Sequence, residues 1–274
     1  MEKTIWGNTL VKNEDRYIWF AVESVIDYLD KMLIWDTGSS DNTVDVIKLL
    51  CGKYPRKIVF KQYGQVNRVQ FTKARQEMLE QTKSDWVFLL DGDEIWWEKS
   101  IKNVVETIQK RGDELDCLVN PMYNLVGDIY HYQEKKAGQY EIKGRKGHFT
   151  IRAVNTKIPR LHFALPYGQE GLFDNKKPIQ QRDKILFLEA PYLHFTHLSR
   201  SSSETSERDV IDRLKKRKYE LGTAFPKSFK YPEVLYKILP FMVSSPWHES
   251  SRSFKIIAAF QTPFKKIKRR IFKK

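Results

Sequence analysis

Strands and helices alternate along the first part of the chain, and this alternation restricts the possible folds more than any other feature. Four short apolar segments are predicted strands: Thr4–Val11, Met32–Trp35, Lys57–Gln62 and Trp86–Leu90. Each is followed by a predicted helix: Asp15–Leu29, Asp41–Leu50, Thr72–Gln81 and Ser100–Lys110. Because parallel strands need a crossover between them, this order predicts an α/β fold with a mostly parallel, Rossmann-like sheet and helices on both faces.

Acidic residues stand directly after two of these strands. Asp36 follows the second strand, and Asp91 and Asp93 follow the fourth. In an open α/β sheet, ligands bind outside the carboxyl ends of the strands. Two carboxylates one residue apart suit a hard divalent cation that also holds phosphate oxygens. The pattern therefore favours an enzyme that handles a nucleotide diphosphate.

The pattern changes after residue 115. Five further segments are predicted strands without intervening helices: Leu118–Leu125, Asp128–Gln133, His148–Val154, Ile185–Glu189 and Tyr192–Thr196. They predict a mixed, partly antiparallel extension of the sheet. Ser201–Glu204 resembles a helix-starting cap, and Asp209–Glu220 is predicted to be a charged surface helix. We therefore divide the chain into residues 1–204, with halves 1–115 and 116–204, and a helical extension over 205–274.

Positive charge is concentrated in that extension. The net charge is +14 over 274 residues, and residues 205–274 carry 18 Lys and Arg against 6 Asp and Glu. The remainder is nearly neutral and, in a chain with 41% hydrophobic residues, can bury a core. We find no signal-peptide pattern and no apolar run of about 18 residues. Cys51 and Cys117 are too few for a disulfide framework, so we expect a cytoplasmic protein.

Four short motifs, in their order along the chain, resemble family 2 glycosyltransferases of the GT-A fold: Leu10–Glu14, Trp35–Thr43, Phe71–Arg75 and Asp91–Glu94. The resemblance is clear over residues 4–100 and weakens toward residue 200. It implies that residues 1–204 are a catalytic domain, in which half 1–115 binds a nucleotide-sugar donor and half 116–204 binds the acceptor. It also implies metal-dependent, inverting transfer of a hexose from a UDP- or GDP-type donor to a lipid-linked or surface-glycan acceptor.

The resemblance assigns five residues to donor binding. Val11, Asn13 and Glu14 would line the nucleotide crevice after the first strand. Asp36 would accept a hydrogen bond from the base, as a carboxylate facing an N–H group can. Arg75 would reach the nucleotide from the third helix.

The resemblance also implies a bound Mn²⁺ or Mg²⁺. Asp93 would contact the metal, and Asp91 would contact the metal or the ribose. Negative charge develops on the diphosphate as it leaves, and a divalent cation stabilises that charge. His194 and His197 are spaced so that both cannot share one strand face, and at most one would be a ligand. We assign His197.

An inverting transfer needs a base that takes the acceptor's proton. The segment Pro166–Asp174 is the best candidate, because glycines bracket Glu170. We assign Glu170 as the catalytic base, with Asp174 as the second choice; an ordinary exposed acidic loop is the alternative.

The end of the chain has the pattern of an amphipathic basic helix. Apolar residues recur at spacings of three and four: Ile257, Phe260, Phe264, Ile267 and Ile271. Most lysines and arginines lie away from this stripe, and a helix is predicted to restart at Thr262-Pro263. Such a helix suits an anionic membrane surface, so we expect a peripheral enzyme on the cytoplasmic face of the membrane. Docking of the stripe on the protein's own domain, or a solubilising tail, are the alternatives.

Three other functions are alternatives for this sequence. A sugar nucleotidyltransferase would need a glycine-rich loop after the first strand, where this chain has Lys12–Asp15. A nucleic-acid-binding protein would explain the basic extension, but not the acidic strand ends, which repel phosphate unless a cation is bound. A non-catalytic member of the family is the third alternative, and the intact Asp91 and Asp93 argue against it. No nucleic-acid partner is expected.

Overall fold

The computed structural model describes residues 2–175 and 177–272. The strands are β1 Ile5–Val11, β2 Lys31–Asp36, β3 Ile58–Gln62, β4 Trp86–Leu89, β5 Glu94–Trp96, β6 Cys117–Val126, β7 Asp128–Tyr132, β8 Tyr140–Ile142, β9 Arg145–Gly147, β10 Phe149–Asn155, β11 Leu161–Ala164, β12 Gly171–Asp174, β13 Lys177–Pro178, β14 Ile185–Phe187, β15 Tyr192–His194 and β16 Thr223–Ala224. The helices are α1 Ile18–Glu23, α2 Thr43–Lys53, α3 Arg68–Gln81, α4 Glu98–Arg111, α5 Glu204–Arg208, α6 Arg213–Lys216 and α7 Arg252–Phe272.

One large sheet organises the molecule, with the strand order β16-β7-β6-β10-β4-β1-β2-β3. Strands β4, β1, β2 and β3 are parallel neighbours. On the other side of β4, strand β10 runs antiparallel to both β4 and β6. This confirms the predicted α/β class, with a parallel part followed by a mixed extension. The register pairs Val11 with Asp36, so strands β1 and β2 end at the same edge.

The parallel strands bury both faces. Val11 and Ile34 face a core that includes Val22 of α1 and Ile47 of α2. Alternate strand residues face the other way, where Leu33 and Trp35 pack with Met78 of α3. Since successive strand residues point to opposite faces, α3 covers one face and α1, α2 and α4 cover the opposite one. This confirms the helices predicted on both faces.

The segment predicted as an amphipathic helix over Asp15–Leu29 is largely irregular. Only Ile18–Glu23 is α-helical, and a short 3-10 turn follows at Ile26–Tyr28. All six residues of α1 are buried. The helical periodicity therefore misjudged a segment that the core encloses on all sides, where no solvent-facing stripe is needed.

The prediction of one charged surface helix over Asp209–Glu220 is wrong. Only Arg213–Lys216 is helical, and Asp212 before it has a left-handed backbone with φ of 56°. The chain turns inward here, so that Arg213 and Glu220 are each 2% exposed. The cap predicted near residue 203 is confirmed, because the Ser203 side chain accepts a hydrogen bond from the Ser206 amide of α5.

The final helix α7 contacts the protein through the side that carries Phe254, Ala258, Thr262 and Arg269. Thr262 is buried and its hydroxyl accepts a hydrogen bond from the Leu221 amide at 2.7 Å. Arg269 forms an ion pair with the buried Glu220. The predicted apolar stripe faces outward, with Phe260 74% and Phe264 63% exposed.

Two expectations for this segment, a restart of the helix and docking of the stripe, differ from the structure. The helix does not restart at Pro263 but runs through it. The stripe does not dock on the catalytic domain, because the opposite side of the helix does so. Lys273 and Lys274, which belong to the predicted basic tail, lie outside the described residues. None of the described helices is long and apolar enough to span a bilayer.

Candidate functional site

A cavity of about 650 Å³ opens at the carboxyl edge of the parallel strands. It brings together residues that are distant in the sequence: Glu14 after β1, Arg75 on α3, Asp91 and Asp93 after β4, and Glu170 before β12. His194 and His197 also line it. The parallel topology explains the meeting of the first four, because α/β sheets place their ligand crevice at this edge.

Two arginines hold Asp91. The Arg75 guanidinium donates to one carboxylate oxygen at 2.9 Å, and the Arg152 guanidinium donates to the other at 3.1 Å. Arg152 also forms an ion pair with the fully buried Glu94. Burial opposes ionisation of Asp91, but Arg152 and Arg75 outweigh it and hold the pKa of Asp91 well below its ordinary value. Asp91 is therefore a permanent anion at the cavity wall.

Asp93 is almost completely enclosed, with 1% of its surface exposed. Arg200 donates to its Oδ2 at 2.7 Å, and Nε2 of His194 lies 3.6 Å from the same atom. Burial disfavours the charge, yet Arg200 and His194 lower the pKa of Asp93 far below its ordinary value. Its Oδ1 is buried without a hydrogen-bond partner among the described residues. Among the described residues of the site, Glu14 Oε2 is buried and unpartnered in the same way.

The segment after residue 200 contributes charges to the crevice. Arg213 donates to the backbone carbonyls of Lys12 and Asn13 at 2.7 and 2.8 Å, and to the Glu14 carboxylate at 2.7 Å. Arg200 also lies 3.1 Å from Glu14. Burial nevertheless raises the pKa of Glu14 to about 8, with the two arginines opposing the shift. The turn after β1 is thus held by a residue from the other end of the chain.

The glycine between the two aspartates allows this turn to pack closely. A Cβ atom at Gly92 would lie 3.1 Å from Cγ of Glu14 and 3.1 Å from Cγ1 of Val11. Both neighbours are buried, so neither can move freely. The Asp91-Gly92-Asp93 sequence therefore needs a residue without a side chain at its centre.

We expect Gly92→Ala to lower the free energy of unfolding by about 1–3 kcal/mol, because the new methyl overpacks the turn. Gly52→Ala in α2 is the matched control, since a Cβ there meets nothing within 4 Å. Removing a helix glycine should stabilise the control by about 0.5–1 kcal/mol. Urea denaturation of both variants measures the difference, and equal stabilities would show that the packing around Gly92 is not tight.

Three residues predicted to bind the nucleotide instead form hydrogen bonds with residues 37–40, in the turn after β2. Asp36 is buried, and it accepts hydrogen bonds from the Gly38 and Ser39 amides at 2.9 and 3.1 Å. The Asn13 side chain accepts from the Ser40 amide at 2.8 Å. The carbonyl of Val11 accepts from Thr37. None of the three is among the cavity-lining residues, whereas Thr37 is.

The loop that carries Glu170 is fixed to α3. The Tyr167 amide donates to the Arg68 carbonyl at 2.9 Å, and the Thr72 hydroxyl donates to the Leu165 carbonyl at 2.6 Å. Glu170 lines the cavity. Asp174, the second candidate base, forms an ion pair with Arg182 and is not among the residues lining the cavity. The geometry thus separates the two candidates.

The two histidines have different surroundings. His197 Nδ1 lies 2.7 Å from the Lys216 carbonyl and Nε2 lies 3.1 Å from the Gln133 side chain, so both ring nitrogens already have partners. Burial lowers the pKa of His197 to about 3 and keeps it neutral. His194, not His197, is the histidine next to Asp93.

Within residues 2–175 and 177–272, no three or more His, Cys, Asp or Glu side chains are grouped to hold a metal by themselves. The residues present still suit a hard cation. Asp93 offers a buried, unpartnered carboxylate oxygen beside the charged Asp91. Mg²⁺ and related ions commonly use one or two carboxylates and take their other ligands from substrate phosphates and water.

The sequence prediction missed Arg152, Arg200 and Arg213. Arg152 interrupts the apolar strand Phe149–Asn155, which is the only local signal that it faces a charged site. Arg200 and Arg213 lie in polar stretches where an arginine looks like an ordinary surface residue. Their importance depends on buried carboxylates more than a hundred residues away.

Comparison with known proteins places the chain among glycosyltransferases. The model of the family described as "Glycosyl transferase family 2" matches residues 9–165, more than half of the chain. The glycosyltransferase SunS of Bacillus subtilis (strain 168) is 28% identical over 130 residues, which are 46% of this chain and 29% of that protein. The chain thus matches less than a third of the length of this curated relative.

Two solved structures with a similar arrangement come from S. aureus and Mycobacterium tuberculosis. TarS residues 1–349 of S. aureus, in complex with UDP-GlcNAc, superpose with a TM-score of 0.48 at 14% identity, covering 78% of this chain and 64% of TarS. The glucosyl-3-phosphoglycerate synthase of Mycobacterium tuberculosis, with Mn²⁺ and UDP, gives a TM-score of 0.45 at 13% identity, covering 77% of this chain and 78% of the synthase. Likeness at this level says nothing about the ligands of this chain.

Proposed function

Because the chain belongs to glycosyl transferase family 2, we propose that it transfers a hexose from a UDP- or GDP-type nucleotide sugar to a glycan acceptor. Membership confirms the family resemblance that the motifs indicated. The observation that carries the proposal is the single cavity in which Asp91, Asp93, Arg75 and Glu170 meet. Arg75 can bind an anion, Asp91 and Asp93 can bind a cation, and Glu170 is a carboxylate that can act as a base.

The transfer assigns a role to each side of the cavity. Glu170 takes the proton of the acceptor hydroxyl, and the freed oxygen forms a bond to the anomeric carbon. The bond from that carbon to the diphosphate breaks, and its electron pair leaves with the diphosphate. Attack opposite the leaving group inverts the anomeric centre. Arg75 and Arg152 line the donor side and present guanidinium groups that suit phosphate oxygens.

We propose Asp93 and Asp91 as the residues that hold a Mn²⁺ or Mg²⁺ ion. When bound, the ion stabilises negative charge on the departing diphosphate. Arg200 keeps Asp93 ionised, as a metal ligand must be, and fixes one of its oxygens. His194 lies on the same side and is the better placed of the two histidines.

A thermal-shift screen of nucleotide sugars tests the donor class. With a donor at about a hundred times its Kd, the gain in stability should be about 2.7 kcal/mol. We expect it from UDP- or GDP-sugars with Mn²⁺ and not with EDTA, because the proposed cation would link the diphosphate to Asp91 and Asp93. Stabilisation by none of these donors in the presence of metal would refute the proposed function.

We further propose that α7 lies on an anionic membrane surface, on the cytoplasmic face. One side of α7 is already in contact with the protein, through Ala258, Thr262 and Arg269. The stripe consists of five exposed apolar residues, among them Phe260 and Phe264. Lys266, Lys268 and Arg270 on the same helix are also exposed. Apolar side chains suit the boundary between the headgroups and the acyl chains. Basic side chains suit anionic headgroups, and each Lys or Arg near the surface contributes about 1 kcal/mol.

Phe260→Ser should weaken binding to phosphatidylglycerol vesicles about tenfold to a hundredfold, because a buried ring contributes about 1.5–3 kcal/mol. Truncation is a poorer test, since it would remove Arg269 and leave Glu220 buried without its partner. The control is Val59→Ser on β3, an exposed apolar residue at the opposite edge of the sheet. Vesicle sedimentation that gave equal binding for both variants would exclude the stripe as the anchor.

A further inference from the structure

A second cavity, of about 630 Å³, adjoins the donor cavity at Glu170, which lines both. Its walls come from the β8–β9 hairpin, with Glu141 and Lys143, and from the β12 region, with Gln169, Phe173 and Gln180. The residue proposed to take the acceptor's proton is therefore the point where the two spaces meet.

The second cavity is lined by two carboxylates, one lysine and several amide side chains, and is rich in hydrogen-bonding groups. Amide side chains both donate and accept, and carboxylates accept, which matches hydroxyl groups that do both. Gln169, Gln180 and Gln181 supply three amide side chains to its walls. Lys143 is paired with Asp183 at 2.8 Å, and Glu141 adds a negative charge. The walls therefore lack the excess positive charge that a phosphate would need.

From this juxtaposition we propose that the second cavity binds the acceptor, and that it accepts an uncharged, polyhydroxylated ligand such as the terminal sugar of a glycan. The proposal rests on the proposed function, and it specifies the acceptor end of the same site. Phe173 supplies an apolar wall for the less polar face of a sugar ring, and Glu170 receives the proton of the reacting hydroxyl.

Gly171→Trp tests this directly. A Cβ at Gly171 would meet only Phe173 and Gln180, at ordinary distances of 3.8 and 3.9 Å, so a side chain can enter the cavity without backbone strain. With the wild type, we expect at least one of three glycosides to give a saturation-transfer NMR signal: methyl β-D-glucoside, methyl β-D-galactoside or methyl N-acetyl-β-D-glucosaminide. The signal of the bound glycoside should fall at least tenfold in the variant. Gln180→Ala, a milder change, should weaken the same signal severalfold.

Donor binding separates this proposal from the proposed function. UDP with Mn²⁺ should stabilise Gly171→Trp as much as the wild type; if no donor stabilises the wild type, the proposed function itself fails. An unchanged glycoside signal in Gly171→Trp, or stronger binding of glucose 6-phosphate than of all neutral glycosides, would overturn the acceptor assignment. Transfer by the wild type to a soluble oligosaccharide, or to the same oligosaccharide linked to a decyl chain, supports the proposal. Which of the two is the better acceptor distinguishes a free glycan from a lipid-linked one. Transfer to neither contradicts it.

Discussion

Asp93→Asn should lower the rate of sugar transfer about 10³-fold while the protein remains folded. Loss of the charge removes the proposed metal contact, whose stabilisation of the leaving diphosphate is worth several kcal/mol, and each 1.36 kcal/mol is a factor of ten. Asparagine keeps the shape of the side chain and an oxygen that can accept from Arg200, which at present donates at 2.7 Å. Arg200 also keeps its contact with Glu14, at 3.1 Å.

The measurement is the initial rate of nucleotide release with a saturating acceptor, together with the unfolding temperature. Asp45→Asn serves as the control, because Asp45 is exposed on α2 and is paired there with Lys48. The variant should also lose the stabilisation that Mn²⁺ adds in the presence of UDP. A rate within tenfold of the wild type would show that Asp93 does not hold the catalytic metal.

Glu170→Gln should lower transfer about 10²- to 10⁴-fold, the range expected for the loss of a general base. Glutamine keeps the size of the side chain but cannot take a proton from the acceptor. Donor binding should be unchanged, since the diphosphate is bound by other walls of the cavity.

Asp174→Asn is the matched control for this prediction. Asp174 is paired with Arg182 and is not among the residues that line the donor cavity, so its rate should fall less than about tenfold. Single-turnover rates of the two variants, with bound donor verified by its thermal shift, decide between the candidates. A larger loss in Asp174→Asn than in Glu170→Gln would reverse the assignment.

The site could be predicted where short-range patterns determine long-range position. The predicted strand Trp86–Leu90 and the two acids after it indicated that Asp91 and Asp93 lie at the sheet edge, because parallel strands end together. Arg75 was assigned from the family resemblance, and α3 presents it to Asp91. For the two acids, the position follows from the local sequence.

Charge pairing across the chain was beyond that kind of prediction. Asp209–Glu220 has the composition of an exposed helix, yet Arg213 is buried because Glu14 and Glu207 attract it inward. Likewise, Asp36 has the residue type expected for base recognition, but the turn after β2 needs its oxygens. Local sequence does not reveal which buried group will compete for a side chain.

The buried arginines also constrain how this protein can be altered by evolution or design. Arg213 and Glu14 lie far apart in the sequence but are in contact at 2.7 Å, and Arg213 also holds the carbonyls of Lys12 and Asn13. Arg200 shares Glu14 and Glu207 shares Arg213, so the contact is part of a network. Removing one partner of a buried pair costs about 3–5 kcal/mol when nothing else pairs the remaining charge, and less within such a network. A chimera that replaced the segment after residue 204 would have to supply another donor for the turn after β1. Substitutions on the two segments should therefore arise together, as compensating pairs.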